Sequence, residues 1–163
     1  MEKYVLKRWC NEMKVIFLDI DGVLNSAEQN TRLIDDTKLE LLKTLVDRTN
    51  AKIVLHSGWR LMFDREGKPQ KPKAEYLLEK LESVNLRLYE FTEDMSKVVN
   101  SKSFTKLKEK AILDWVGKHE VDKWVVLDDI VFVNDEIKHH AIHVNGMQGL
   151  TRWNVKLAIK LLS

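Results

Sequence analysis

Val15-Ile16-Phe17-Leu18-Asp19-Ile20-Asp21-Gly22-Val23-Leu24-Asn25 is the stretch on which the fold turns. Residues 15 to 18 are apolar on both faces, which suits a strand in the middle of a parallel sheet. The run then meets two carboxylates one residue apart, Asp19 and Asp21, with Gly22 directly behind them. A buried strand that ends in acid is costly unless the acids are paired, hydrogen-bonded or bound to metal. Gly22 lets the chain turn sharply just past the strand end. Ligands of open α/β sheets bind outside the carboxyl ends of the strands, so Asp19 and Asp21 are placed at the mouth of a site. An ordinary Asp-Gly turn would account for Asp21 and Gly22, but not for an acid at position 19 inside the hydrophobic segment.

Working outward, residues 22 to 36 are polar and turn-like. Asp35 or Asp36 caps a helix with apolar residues Leu39, Leu41, Leu42 and Leu45, ending near Asn50. Lys52-Ile53-Val54-Leu55 reads as a second strand, and strand–helix–strand order implies a parallel, right-handed crossover. Residues 61 to 73, with Gly67, Pro69 and Pro72, read as a loop. A helix then carries Tyr76, Leu77, Leu81 and Val84, followed by a third strand from Leu86 to Phe91. Residues 92 to 104 are polar and irregular. Leu107, Ala111, Trp115 and Val116 mark a helix that stops near Gly117. Trp124 to Leu127 is a fourth strand, Ala141 to Val144 a short fifth, and Thr151 caps a last helix containing Val155, Ile159 and Leu162. The alternation gives an α/β domain: a doubly wound, Rossmann-like parallel sheet with helices on both faces.

A chain of 163 residues fits one domain with a sizeable core. The formal charge of +2 neither demands nor excludes a nucleic-acid partner. Cys10 is the only cysteine, so no internal disulfide forms and a reducing, cytoplasmic setting is expected. The sequence contains no apolar run long enough to span a membrane and no signal-peptide core, so no membrane association is expected. Nothing in it calls for an obligate protein partner. Residues 1–12 are mixed basic and aromatic and read as an N-terminal extension, with the domain proper at 13–163.

Two further strand ends carry chemistry. The second runs into His56-Ser57-Gly58-Trp59-Arg60, where the Ser57 hydroxyl and the N–H groups around Gly58 can donate to an oxyanion. Arg60 is placed to clamp a phosphate or ribose and Trp59 to stack on a base; an arginine paired with a carboxylate and a tryptophan packed under the sheet fit the spacing equally well. The fourth strand ends in Asp128-Asp129, which repeats the strand-then-acid pattern. His139, His140 and His143 lack the spacing of a closed zinc set, and no cysteine is near them.

The first stretch resembles the opening motif of the haloacid dehalogenase-like (HAD) superfamily, four apolar residues followed by Asp-x-Asp-Gly. The resemblance extends over residues 13–163. Leu-Asp-Ile-Asp-Gly-Val-Leu-Asn-Ser, His-Ser-Gly-Trp-Arg, Ala-Ile-Leu-Asp-Trp, Val-Val-Leu-Asp-Asp and Gly149-Leu150-Thr151 together look like the HAD domain of Swiss Army Knife RNA repair proteins. It implies an Mg²⁺-dependent phosphatase in which Asp19 attacks phosphorus to form an aspartyl phosphate and Asp21 serves as general acid, then base. Ser57 and Gly58 belong to its phosphate-binding motif, and Asp19, Asp21, Asp128 and Asp129 surround the metal. By analogy with the commoner Gly-Asp version, Asp129 is the direct ligand, with Asp128 behind it or acting through water. A lysine at the start of the helix before the fourth strand is also implied. Lys108 is favoured, with Lys102, Lys106 and Lys110 as alternatives. A helical turn and a small hairpin flap are implied after Gly22.

Only residues 22–51 separate Asp21 from the second strand, too few for an inserted cap domain, and the stretch after Arg60 is short for the other type of cap. A site without a large lid admits a bulky phosphorylated substrate, such as a polynucleotide 3′-end, and a nucleotide is the other main option. A phosphoprotein or small phosphorylated metabolite is a further alternative. The competing reading from another class is a non-catalytic binding or regulatory module on the same scaffold, which would have no need of an acid at position 21.

Overall fold

The computed structural model describes residues 11–30, 33–93 and 104–163. Five strands form one parallel sheet: β1 (Lys14–Leu18), β2 (Lys52–Leu55), β3 (Leu88–Phe91), β4 (Lys123–Asp128) and β5 (Ala141–His143). Their spatial order is β3-β2-β1-β4-β5. The helices between them are α1 (Asp36–Thr49), α2 (Pro72–Ser83), α3 (Phe104–Lys118), α4 (Asp135–Lys138) and α5 (Arg152–Leu162).

Side chains alternate across a strand, so β1 feeds two cores. Ile16 and Leu18 join Leu39, Leu42 and Leu45 of α1, Leu77 and Leu81 of α2, and Val155, Ala158 and Leu162 of α5. Val15 and Phe17 point the other way and join Ile112 and Trp115 of α3, Ile137 of α4, and Trp124 and Val126 of β4. There the Phe17 ring meets Trp115 and Trp124 edge-on, with centroids 5.4 and 5.7 Å away. Helices on both faces make the sheet doubly wound, and β1, covered on both sides, is its central strand.

The expected caps of α1 and α5 are met. Asp35 caps α1, accepting from Thr37 N–H, and Asn50 closes it in the left-handed region at φ 56°. Thr151 and Asn154 form a reciprocal capping pair at the start of α5. Three details differ. The segment after Ser57 opens as a 3-10 helix, Gly58–Met62, and continues into an antiparallel bridge between Phe63 and Pro69 instead of an open loop. The short helix α4 is an unexpected addition, capped by Asn134. Between Gly22 and α1 the described residues hold turns and a 3-10 helix, Ala27–Gln29, and no hairpin flap. The polar stretch 94–103, with Lys102, lies outside the described residues, as do Cys10 and most of the N-terminal extension. Among the described residues no helix is long and apolar enough to cross a membrane.

Candidate active site

Strand order reverses at β1: the connection from β1 leads to β2 on one side, while β4 pairs with its other side. That switch point opens a crevice at the carboxyl ends of β1 and β4. Asp19 follows β1, and its N–H still bonds to Leu127 O at 3.0 Å, so its backbone is held in the sheet ladder. Asp128 is the last residue of β4, and its carbonyl accepts from Val144 N–H at 2.8 Å. Asp19, Asp128 and Asp129 are thereby brought together, each offering a carboxylate oxygen within 4.8 Å of the others. Such a set of hard oxygen donors suits a divalent cation. Asp21 lies outside this trio: it is exposed, and its carboxylate accepts from Asn25 Nδ2 at 2.9 Å and Trp59 Nε1 at 3.1 Å.

Lys108, from the second turn of α3, reaches the trio. Its Nζ is 2.5 Å from Asp128 Oδ2 and 3.8 Å from Asp19 Oδ2, and it is largely buried. The helix register excludes its neighbours: Lys110 pairs with Asp114 on the outer face, and Lys106 is exposed. Burial drives the Asp19 carboxyl up to about 8; Lys108 pulls against this, while Asp128 and Asp129 add to it. Burial, then Asp128, likewise raises Asp129. The cluster is thus short of positive charge, which is the electrostatic signature of a place for a cation.

The two acids that end β4 differ. Asp128 is 1% exposed and has both oxygens engaged, Oδ2 with Lys108 and Oδ1 with Ile130 N–H at 3.1 Å. Asp129 is half-buried and lies against two glycines. A Cβ at Gly22 would overlap its carboxylate, and a Cβ at Gly146 would lie 2.8 Å from its Oδ2. Gly22 also has φ +82°, so the tight turn and the close approach of Asp129 both require glycine.

Ser57 caps the 3-10 helix, its Oγ accepting from Trp59 N–H at 3.2 Å, and the space in front of Gly58 is open. The residues after it depart from the substrate-binding expectation. Trp59 is 2% exposed and packed in the core, which leaves no face for a nucleobase. Arg60 is committed to its own loop: Nη1 donates to the carbonyls of Phe63 and Asp64, at 3.4 and 3.0 Å, and the guanidinium lies 4.7 Å over the Phe91 ring. In this position Arg60 pins its loop to the end of β3.

Several supporting residues escaped the sequence reading. Glu109 is buried beside Lys108, and its Oε1 accepts from Val133 N–H at 2.5 Å and Asn134 N–H at 2.8 Å, tying α3 to the loop that follows Asp129. His56 is buried, Nδ1 bonded to Thr92 Oγ1 at 2.9 Å; burial, then Lys108, hold it neutral, well below the usual histidine range. Gly146 had no signal beyond being a glycine. The three late histidines each bond to a main-chain carbonyl, of Asp135, Trp124 and Asp129, and none joins a metal-ligating group among the described residues.

A parallel sheet in this order, with acids at the ends of two adjacent strands and a lysine from the intervening helix, defines a HAD-type α/β domain without a large cap. Residues 15–155 match the family described as the HAD domain in Swiss Army Knife RNA repair proteins, and the chain belongs to that family. Comparison with curated proteins and with solved structures gave no match.

Proposed function

We propose that the chain is an Mg²⁺-dependent phosphomonoesterase that works through an aspartyl phosphate on Asp19, on a phosphorylated nucleic-acid end or a nucleotide. The observation that carries this reading is the division of the acids. Asp19, Asp128 and Asp129 converge with Lys108, while Asp21 is exposed and stands apart, held by Trp59 and Asn25.

An oxygen of Asp19 attacks phosphorus, and the bond from phosphorus to the leaving oxygen breaks as Asp21 gives that oxygen a proton. Asp21 then takes a proton from water, which attacks the same phosphorus; the Asp19–phosphorus bond breaks and inorganic phosphate leaves. Lys108 and the Ser57–Gly58 turn neutralise and hold the phosphoryl oxygens, and positioning and charge supply most of the catalysis. Asp19 and Asp129 would hold the magnesium ion, with Asp128 held back by its bonds to Lys108 and Ile130. The metal supplies charge neutralisation between an anionic nucleophile and an anionic substrate. A pure binding module has no use for Asp21 held by Trp59 and Asn25, so the catalytic reading is preferred.

The test is hydrolysis of para-nitrophenyl phosphate with Mg²⁺ and with EDTA, followed by a panel of 3′- and 5′-phosphorylated oligonucleotides, nucleotides and phosphorylated metabolites. Metal-dependent turnover, fastest on an oligonucleotide end and falling with added salt, is expected. Folded protein with no turnover from acid to neutral pH would return the chain to the binding-module reading. Salt-independent activity, best on free nucleotides, would select the small substrate.

A further inference from the structure

Asp21 is exposed, yet both of its oxygens are held by buried side chains from different parts of the chain. Trp59 Nε1–H donates to Oδ2 at 3.1 Å, and Asn25 Nδ2–H donates to Oδ1 at 2.9 Å. The donors are 2% and 4% exposed. Neither is free to wander: Asn25 Oδ1 accepts from Gly22 N–H at 2.8 Å, and the Trp59 ring lies in the core with Lys73 Nζ 4.1 Å from its centroid. A surface carboxylate ordinarily samples several rotamers. Here two fixed donors select one. Each carboxyl oxygen has two lone pairs, so a position remains for the proton that Asp21 exchanges.

We propose that Trp59 and Asn25 are positioning residues for Asp21, holding its carboxyl group in the rotamer from which it delivers a proton to the leaving oxygen and later takes one from water. The proposal rests on the catalytic reading above. It assigns the tryptophan of His-Ser-Gly-Trp-Arg a task in the chemistry, through Asp21, without contact with substrate. The competing account is that a buried indole simply needs an acceptor and Asp21 is the nearest. The two accounts differ in what removal of the N–H does to proton transfer.

The experiment compares Trp59→Phe with wild type on a series of phosphate monoesters, from nitrophenyl to alkyl, whose leaving groups become steadily more basic. Only a poor leaving group needs the proton from Asp21. Trp59→Phe should therefore lower kcat/KM, which reports the step in which the leaving group departs, by about 10- to 100-fold on alkyl phosphates, within the usual range for misplacing a general acid, with a much smaller loss of kcat/KM on nitrophenyl phosphates. In an Asp21→Asn background the same substitution should cost no further rate, because the group it positions has gone. Equal loss of kcat/KM on every substrate, or full additivity with Asp21→Asn, would overturn the proposal and leave Trp59 a core residue. If Trp59→Phe does not fold, Asn25→Ala is judged by the same two criteria. Inactive wild-type protein overturns the catalytic reading and this proposal together. Active wild type, slowed by Asp21→Asn but with unchanged leaving-group dependence in both donor variants, overturns this proposal alone.

Discussion

The Lys108 ammonium lies 2.5 Å from Asp128 Oδ2, and it sits at the centre of the candidate site because it is also 3.8 Å from Asp19. One cation from α3 thus serves acids that end two neighbouring strands. Lys108→Ala would leave both buried carboxylates uncompensated, a costly state for a folded protein. The variant is expected to lose about 100-fold or more in kcat/KM, comparable to removing a preorganised electrostatic partner. Lys106→Ala and Lys110→Ala should lie close to wild type, since one lysine is exposed and the other pairs with Asp114. Steady-state kinetics on the three variants checks the assignment; a crippled Lys110→Ala variant would sink it.

Asp19→Asn is expected to abolish turnover and to stabilise the metal-free fold. Burial raises the Asp19 carboxyl from 3.8 to about 8 in the folded state, so the folded protein holds this proton more tightly than the unfolded chain. This site's contribution to stability is therefore greatest below about pH 4, declines as pH rises towards 8, and levels off above it. Metal-free wild type should lose melting temperature across that window, and Asp19→Asn should lose less. Added Mg²⁺ should restore the wild type most at the alkaline end, where the cluster is most anionic, and should do little for Asp19→Asn. Melting curves with EDTA and with Mg²⁺ across pH would show this. Identical pH profiles for the two proteins would contradict the electrostatic account.

Gly146→Ala is a probe of the Asp129 pocket. The new Cβ would lie 2.8 Å from Asp129 Oδ2, so the carboxylate must move, and Gly146 does not have the positive φ that adds backbone strain at Gly22. The variant should fold, keep much of its activity at saturating Mg²⁺, and need about 10-fold more Mg²⁺ to reach half-maximal rate, at the low end of what disturbing a metal site's support costs. An unchanged Mg²⁺ requirement would remove Asp129 from the metal site.

Glu109→Ala should loosen the same region from the other side. The buried carboxylate accepts two backbone N–H groups, of Val133 and Asn134, which would lose their partner. A loss of about 1–3 kcal/mol in unfolding free energy is expected. Denaturant titration measures it, and a change below 0.5 kcal/mol, the range of ordinary surface substitutions, would show that water replaces the bond freely.

The sheet was legible because each strand is a short apolar run with a defined stop, and because Asp19 and Asp128 end two of those runs. Lys108 could be favoured over Lys106 and Lys110 only weakly in sequence, since all three lie in one basic stretch; the packing of Ile112 and Trp115 against β1 and β4 fixes which one faces inward. Asn25 grips Asp21 from four residues along the same turn, whereas the grip of Trp59 depends on two loops meeting at the carboxyl ends of the strands, which spacing along the chain does not encode. Gly146 was silent for the same reason: what makes it necessary is a carboxylate from another strand. In place of the flap expected after Gly22, the described residues of that segment hold turns and a 3-10 helix, anchored by Ala27 N–H on Gly146 O at 3.0 Å.

Arg60 was the sequence's candidate for holding substrate beyond the phosphoryl group, and in the structure its guanidinium bonds within its own loop. A clamp on a remote part of the substrate contributes binding energy that orients the reacting centre, so its loss would fall on the large substrate and spare para-nitrophenyl phosphate. Arg60 instead donates to the carbonyls of Phe63 and Asp64 and covers the Phe91 ring, which fastens the bridged loop to the end of β3. Arg60→Ala should therefore cost about 1–3 kcal/mol of stability, as charge-assisted hydrogen bonds do, and any loss of rate should be the same for para-nitrophenyl phosphate and for the best oligonucleotide. Parallel kinetics on the two substrates, with a melting curve for the variant, separates the two roles. A stable variant that fails only on the oligonucleotide would show that Arg60 leaves its loop to take hold of the substrate.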